Sequence, residues 1–209
     1  MSVPSNGGVR AILFDLGKVI LHFNFDPAFK RLARSCRLTP KDIEDYFVAS
    51  GLEVLYDGGK ISSFHFYREV KKALGFRLSY AGFKSVWNNI FTPNPAVIRL
   101  IPRLAARYPL VLISNTNRMH FEYIRRRYRA ILKHFDAVVL SYEEKIRKPD
   151  PKIYLTARKA CGARAEQIFY IDDRRDLTEA ASALGFRTFT FQNDAKALVA
   201  RMKKEGITL

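Results

Sequence analysis

Five short apolar runs constrain this chain more than anything else in it. They fall at residues 11–15 (AILFD), 110–115 (LVLISN), 137–141 (AVVLS), 168–173 (IFYIDD) and 187–191 (RTFTF). Each is strand-sized and rich in β-branched or aromatic residues. Amphipathic stretches of helical length follow or separate the later runs, at residues 96–108, 119–133, 152–161, 177–184 and 195–204. Strands alternating with helices predict an α/β fold, a parallel sheet covered by helices on both faces. Such sheets bind ligands beyond the carboxyl ends of their strands. The polar groups that close the runs are therefore the candidates for chemistry: Asp15, the pair Ser114-Asn115, and the pair Asp172-Asp173. Lys148 joins them from the loop RKPDP, which precedes another helix.

The distance from the first run to the second is too long for one crossover. Residues 24–92 show no strand pattern and instead predict helices at 27–36, 40–49, 63–74 and 80–91. Thr39-Pro40 sets an N-cap before a proline, and Ser62 and Ser79 are good caps. Gly51, Gly75 and the prolines at 93 and 95 mark helix ends. The expected organisation is an α/β core of residues 1–23 and 93–209, interrupted by a helical domain at 24–92. Phe64, Phe66, Tyr67 and Trp87 are assigned to the core of that insert. Residues 56–60 (YDGGK) read as a turn between its helices, placed where such a loop either reaches the site or simply connects.

No apolar run is long enough to cross a bilayer. The opening MSVPSNGGVR lacks the apolar stretch of a signal peptide and reads as a short disordered tail. The expectation is a cytoplasmic protein without a membrane partner. Cys36 and Cys161 are far apart, fit no metal spacing and are expected to be reduced. The net charge of +16 is the unusual feature. No nucleic-acid motif accompanies it and the positive residues are spread along the chain. A basic surface that attracts anionic substrates is thus favoured over a nucleic-acid partner, which the charge alone leaves open.

Carboxylates gathered at one place repel each other unless a cation sits among them, and hard oxygen ligands suit Mg²⁺. A hydroxyl and a lysine beside them suit a phosphate. A carboxylate facing a neutralised phosphoryl group can attack it and form an acyl phosphate. The residue types alone therefore suggest phosphoryl transfer.

The same residues, in this order, resemble the four motifs of the haloacid dehalogenase superfamily. FDLGKVI resembles motif one with Asp15 as nucleophile, and SNTNR motif two with Ser114. RKPDPKIY resembles motif three with Lys148, and YIDDRRD motif four with Asp172 and Asp173 serving the metal. The helical insert lies where that superfamily carries its first type of cap. The stretches FDLGKVILHFNF, LISNTNRMH and LSYEEKIRKPDPKIY are similar to a subgroup of bacterial α-D-glucose-1-phosphate phosphatases and the phosphatase domain of soluble epoxide hydrolases. The resemblance implies a Rossmann-like core with a helical cap and a Mg²⁺-dependent phosphatase of small phosphate esters. In it, Ser114, Asn115 and Lys148 bind the phosphate. Mg²⁺ contacts Asp15, the Gly17 carbonyl and Asp173, with Asp172 nearby or acting through water.

Three departures stand out. Gly17 occupies the position where most phosphatases of the superfamily carry an acid/base aspartate, a group worth about 10²–10⁴-fold in rate. Without it, leaving groups that need little protonation, such as the anomeric oxygen of a sugar 1-phosphate, are expected to do best. Leu177 stands where many relatives are polar, with Asp176 adjacent as a possible compensation. Lys18 and His22 replace residues that are often Asn and Asp, and His22 is a minor candidate for a substitute acid. Arg118 and His120 follow motif two, either in a solvated helical turn or at the site. The rival functions are a metal-independent 2-haloacid dehalogenase and a catalytically impaired binding module.

Overall fold

The computed structural model describes residues 7–209. Residues 1–6, most of the expected N-terminal tail, lie outside the described residues. Along the chain come β1 (Ala11–Phe14), β2 (Leu21–Phe23), β3 (Phe91–Pro93), β4 (Leu110–Ser114), β5 (Ala137–Leu140), β6 (Ile168–Asp172) and β7 (Arg187–Thr190). All but β2 and β3 form one parallel sheet in the order β5-β4-β1-β6-β7. The expected α/β architecture is what the chain adopts.

Side-chain alternation explains why helices cover both faces. Ile12, Phe14, Leu110, Leu112, Phe169 and Ile171 enter one hydrophobic cluster, while Ala11, Leu13, Val111, Ile113, Ile168 and Tyr170 enter another. A central strand buried on both sides must be apolar throughout, which is why these runs are continuous rather than alternating. The chain moves from β1 outward to β4 and β5, then returns to β6 and β7 on the other side. This makes β1 the switch point, and the crevice beyond its end is where Asp15 emerges.

The helices are α1 (Asp26–Ala33), α2 (Pro40–Ser50), α3 (Leu52–Asp57), α4 (Ser63–Leu74) and α5 (Tyr80–Asn88) between β2 and β3. Next come α6 (Pro95–Ile98), α7 (Ile101–Ala105), α8 (Arg118–Arg127), α9 (Arg129–Leu132), α10 (Ser141–Glu144), α11 (Pro151–Cys161), α12 (Arg175–Ala183) and α13 (Ala195–Lys204). The start signals act as expected. Thr39 forms a capping box with Asp42, and Ser62 and Ser79 accept from the backbone N–H groups of His65 and Gly82. Helices α1–α5 share a core of their own around Trp87, Phe83, Phe66 and Phe47, and Met119 of α8 reaches into it. Phe66, Tyr67 and Trp87 are buried there as expected, whereas Phe64 is 54% exposed.

Several boundaries differ from expectation. The helix predicted at 96–108 is split into α6 and α7, because Pro102 has no N–H and its ring clashes with the preceding turn. The helix predicted at 119–133 is interrupted at Tyr128, which leaves helical backbone while its hydroxyl donates to the Phe91 carbonyl at 2.8 Å. Residues 91–93 pair antiparallel with 21–23, a three-residue ribbon too short for periodicity to reveal. Part of the expected turn at 56–60 is helical, since α3 runs to Asp57. No helix among the described residues is long and apolar enough to cross a membrane.

Candidate active site

Strand register builds the site. Leu13 pairs with Tyr170 and Phe14 with Ile171, and the Asp15 N–H donates to the Ile171 carbonyl at 2.8 Å. Asp15 and Asp172 therefore end adjacent strands side by side, and alternation turns Tyr170 and Asp172 to the same face. Lys148 arrives on that face from the loop between α10 and α11. Its ammonium donates to Asp15 Oδ1 and to Asp172 Oδ2, each at 2.6 Å, and to the Tyr170 hydroxyl oxygen at 3.2 Å. The Tyr170 hydroxyl in turn donates to Asp172 Oδ2, and the Arg174 N–H donates to Asp172 Oδ1 at 2.9 Å. The Asn115 side chain holds the lysine loop at both ends: its Oδ1 accepts from the Lys148 N–H at 2.8 Å, and its Nδ2 donates to the Lys148 carbonyl at 2.9 Å. That leaves the amide one N–H for other use.

Burial dominates the electrostatics. The Asp15 carboxyl is pushed up to about 7, chiefly by burial and further by Asp172 and Asp173, against the opposing pull of Lys148. Burial alone would discharge Lys148, but Asp15 and Asp172 outweigh it and hold its proton above the ordinary lysine range. Tyr170 is held protonated by burial and the same carboxylates, so it acts as a donor. Asp173 is raised by burial and by Asp172.

Asp15, Asp172 and Asp173 each bring an oxygen within 4.8 Å of the others. Three carboxylates face one buried ammonium, a surplus of negative charge that a divalent cation would balance, and their hard oxygens suit Mg²⁺. Both Asp172 oxygens are already engaged, so Asp15 and Asp173 are the freer donors.

Ser114, at the end of β4, and Gly17, Asp173 and Asn115 line one cavity of about 270 Å³ with Asp15 and Lys148. The structure thus brings together every residue expected at the site. At Gly17, a Cβ would lie 3.8 Å from Asp15 Oδ2 and only 3.1 Å from the Phe23 ring. A side chain at position 17 would thus stand beside Asp15 and press on an aromatic edge, which would have to give by a few tenths of an ångström. Lys18, also in this cavity, holds a left-handed φ of 55°. His22 instead lines an outer recess with Lys18 and Asp173, away from Asp15. Asp176 is exposed and paired with Arg174, so it does not compensate for Leu177, which is buried at the cavity wall.

Other residues reach the site too, some of them unanticipated, and Asp57 from the segment 56–60, one of whose two expected roles is to reach the site. Tyr170 is one of the unanticipated; its signal was its position two residues before Asp172 on a strand. Asp57, at the end of α3, lines the cavity that holds Asp15. Its carboxylate accepts from Asn117 Nδ2 at 3.0 Å and lies 3.8 Å from the Arg147 guanidinium, while its backbone carbonyl accepts from the Ser141 hydroxyl at 2.6 Å. A second cavity of about 190 Å³ adjoins across Gly17, Phe23, Asp57 and Ser114, and Glu53 lines it. His120 is neither solvated nor exposed. It stacks on Trp87, and burial pushes its pKa down to about 4. Its Nε2 lies 3.2 Å from the Trp87 carbonyl and its Nδ1 3.1 Å from Asn117 Nδ2, the pattern of a neutral ring with the proton on Nε2. Arg118 stays outside, over the Tyr142 ring.

Residues 9–185 match the hydrolase family described as haloacid dehalogenase-like hydrolase. The D-ribitol-5-phosphate phosphatase of Bacteroides thetaiotaomicron is 24% identical over 195 residues, covering 90% of this chain and 94% of that protein. A HAD family enzyme of the same organism, solved in complex with magnesium and inorganic phosphate, superposes with a TM-score of 0.81 at 25% identity, over 91% of this chain and 99% of that one. A HAD-like family hydrolase from Porphyromonas gingivalis superposes with a TM-score of 0.80 at 26% identity, over 95% and 99% of the two chains. With the family matched across most of its length and the expected motifs gathered at one crevice, the chain belongs to the haloacid dehalogenase-like hydrolases.

Proposed function

We propose that this protein is a Mg²⁺-dependent phosphatase of small phosphorylated carbohydrates, with sugar 1-phosphates among its better substrates. The observation that carries the reading is the arrangement around Lys148: one buried ammonium bridges Asp15 and Asp172, and Asp173 stands beside them at the mouth of a cavity. The phosphatase of ribitol 5-phosphate and the magnesium- and phosphate-bound HAD enzyme named above support it. Residues 24–92 would serve as a cap over a core made of residues 1–23 and 93–209.

In this reading Asp15 is the nucleophile. Its Oδ1 is held by Lys148, so Oδ2 is the oxygen free to attack phosphorus. As the new P–O bond forms, the ester bond to the leaving group breaks, and water later cleaves the aspartyl phosphate. Lys148 keeps its proton and acts as a fixed positive charge on the phosphoryl oxygens. The Ser114 hydroxyl and the remaining Asn115 N–H donate to the same oxygens. Asp15, the Gly17 carbonyl and Asp173 would hold Mg²⁺, and Asp172 would fix Lys148 and support the metal from behind. When bound, the ion neutralises charge on the phosphoryl group and on the attacking carboxylate. Lys148 and Tyr170 both hold their protons too tightly to supply one, and position 17 has no side chain. No group hydrogen-bonded to Asp15 therefore supplies a proton to the leaving oxygen, which favours an anomeric oxygen over an ordinary alcohol.

The test is phosphate release from a panel of sugar and polyol phosphates, with Mg²⁺ or with chelator, for the wild type and Asp15→Asn. Mg²⁺-dependent turnover abolished by Asp15→Asn, with glucose 1-phosphate ahead of glucose 6-phosphate, is the expected result. Equal phosphate release in chelator would remove the metal from this reading, and halide release from a 2-haloacid without metal would replace it with the dehalogenase one.

A further inference from the structure

The cavity beside the nucleophile continues past Gly17 and Phe23 under helix α3, and that extension is lined in an unusual way. Its wall from β3, α8 and the β2–α1 segment is apolar or aromatic, with Phe23, Phe25, Phe91 and the neutral ring of His120. Its roof carries two carboxylates from one turn of α3, Glu53 and Asp57, four residues apart and so on one helical face. Asp57 is tied down by Asn117 and lies close to Arg147. Glu53 makes no hydrogen bond or ion pair to any described residue, although it is partly buried.

A phosphate seated between Lys148 and Ser114 sends its leaving group into this extension, since the two cavities share Gly17, Phe23, Asp57, Ser114 and Asn115. Carboxylates in a sheltered cavity accept hydrogen bonds from hydroxyl groups and repel anions, and the repulsion is stronger than in water because the local dielectric is low. Aromatic walls complement the C–H faces of a ring or polyol chain. The surroundings sharpen the case: the guanidiniums of Arg147 and Arg174 both lie toward the phosphate side, in the cavity that holds Lys148, and neither lines the extension. Burial and Asp57 raise the Glu53 carboxyl to about 7, with Arg147 opposing. A neutral Glu53 adds a donor for hydroxyls, and an ionised one adds repulsion of anions.

We propose that Glu53 and Asp57 form the leaving-group subsite and select phosphate esters whose leaving group is hydroxylated and uncharged, excluding bisphosphates and phosphorylated acids. This rests on the phosphatase reading above. It also separates two scales of electrostatics. The overall charge of +16 attracts any phosphorylated anion to the molecule, and the two local carboxylates then reject those with a second anionic group.

The test compares three probes: glucose 1-phosphate, glucose 1,6-bisphosphate, and acetyl phosphate as a reference whose leaving group is too small to enter the extension. Wild type and the variants Glu53→Gln and Glu53→Lys are assayed with Mg²⁺, and folding of each is checked by circular dichroism. The expected wild-type kcat/KM for the monophosphate exceeds that for the bisphosphate by at least about tenfold. Glu53→Lys should cut that ratio by about tenfold or more, mainly through KM, with Glu53→Gln intermediate. A wild-type ratio near one, or a ratio unmoved in folded Glu53→Lys, overturns the subsite while acetyl phosphate turnover keeps the phosphatase reading standing. Failure of the wild type to hydrolyse acetyl phosphate and the other probes overturns both.

Discussion

Replacing Asp15 should make the metal-free protein more stable, and only above a certain pH. The Asp15 carboxyl is raised from its ordinary 3.8 to about 7 in the folded chain, chiefly by burial. A group that binds its proton more tightly when folded contributes stability below its unfolded pKa, and that contribution is lost as pH rises through the folded value. Each tenfold change in proton affinity is worth about 1.4 kcal/mol. The ionised Asp15 carboxylate therefore costs the folded state up to about 4 kcal/mol above neutrality. Asparagine has the shape of the protonated acid and cannot ionise. With chelator present, Asp15→Asn is expected to match wild type at about pH 4 and to exceed it by about 2–4 kcal/mol at about pH 8, the lower figure allowing for relaxation around Lys148. Urea unfolding followed by circular dichroism at the two pH values measures this directly. His120, Glu53 and Asp57 are present in both proteins and cancel in the difference, whereas Lys148 and Tyr170 are coupled to Asp15 and shift with it, in the direction of the lower figure. Saturating Mg²⁺ should erase or reverse the gap, since a ligand at about 100 times its Kd stabilises by about 2.7 kcal/mol and wild type has the fuller set of carboxylates. Equal stability at both pH values, or a less stable Asp15→Asn at the higher one, would refute the account of Asp15 as a carboxylate kept under electrostatic strain.

Three further expectations follow from neighbouring residues. Lys18→Asn should raise stability by about 1 kcal/mol in thermal unfolding, because the left-handed φ of 55° strains lysine and suits asparagine; an unchanged or lower Tm would count against strain there. Gly17→Asp alone should add little activity on alcohol phosphates such as glucose 6-phosphate, because the Phe23 edge lies 3.1 Å from the new Cβ, whereas Gly17→Asp with Phe23→Ala should add clearly more; equal rates for the two would show that the ring is no obstacle. His120 is held neutral with its pKa lowered from 6.5 to about 4, so its contribution is lost as pH falls through that range. His120→Gln should flatten the acid limb of the stability profile by up to about 3 kcal/mol, and an unchanged limb would contradict the burial argument.

Much of this molecule was legible in the linear sequence because its chemistry sits at strand ends. Continuous apolar runs announced strands buried on both faces, and the polar residue at the end of each run had to emerge at the crevice. Asp15, Ser114, Asp172 and Asp173 could be found that way, and Lys148 from its loop before a helix, as could the caps at Thr39, Ser62 and Ser79, since these depend on local backbone geometry. The break at Pro102 was equally local and could have been read from the missing N–H.

What only the tertiary structure decided involves partners distant in sequence. The loop between α10 and α11 sets Lys148 beside Tyr170, and nothing in a buried tyrosine on a strand distinguishes a core ring from one that hydrogen-bonds a lysine and a carboxylate. Glu53 looks like an ordinary surface acid, and Asp57 like part of a turn that either reaches the site or simply connects, until the fold brings α3 to the cavities beside Gly17. The sequence shows that position 17 lacks a side chain. That a side chain there would press on Phe23, from a three-residue strand too short to predict, depends on the antiparallel pairing of residues 21–23 with 91–93. Composition and periodicity fix which residues must be buried and where chain segments end. Which buried or half-buried groups face one another, and so what charge and shape a ligand meets, is settled only when long-range packing brings separate segments together.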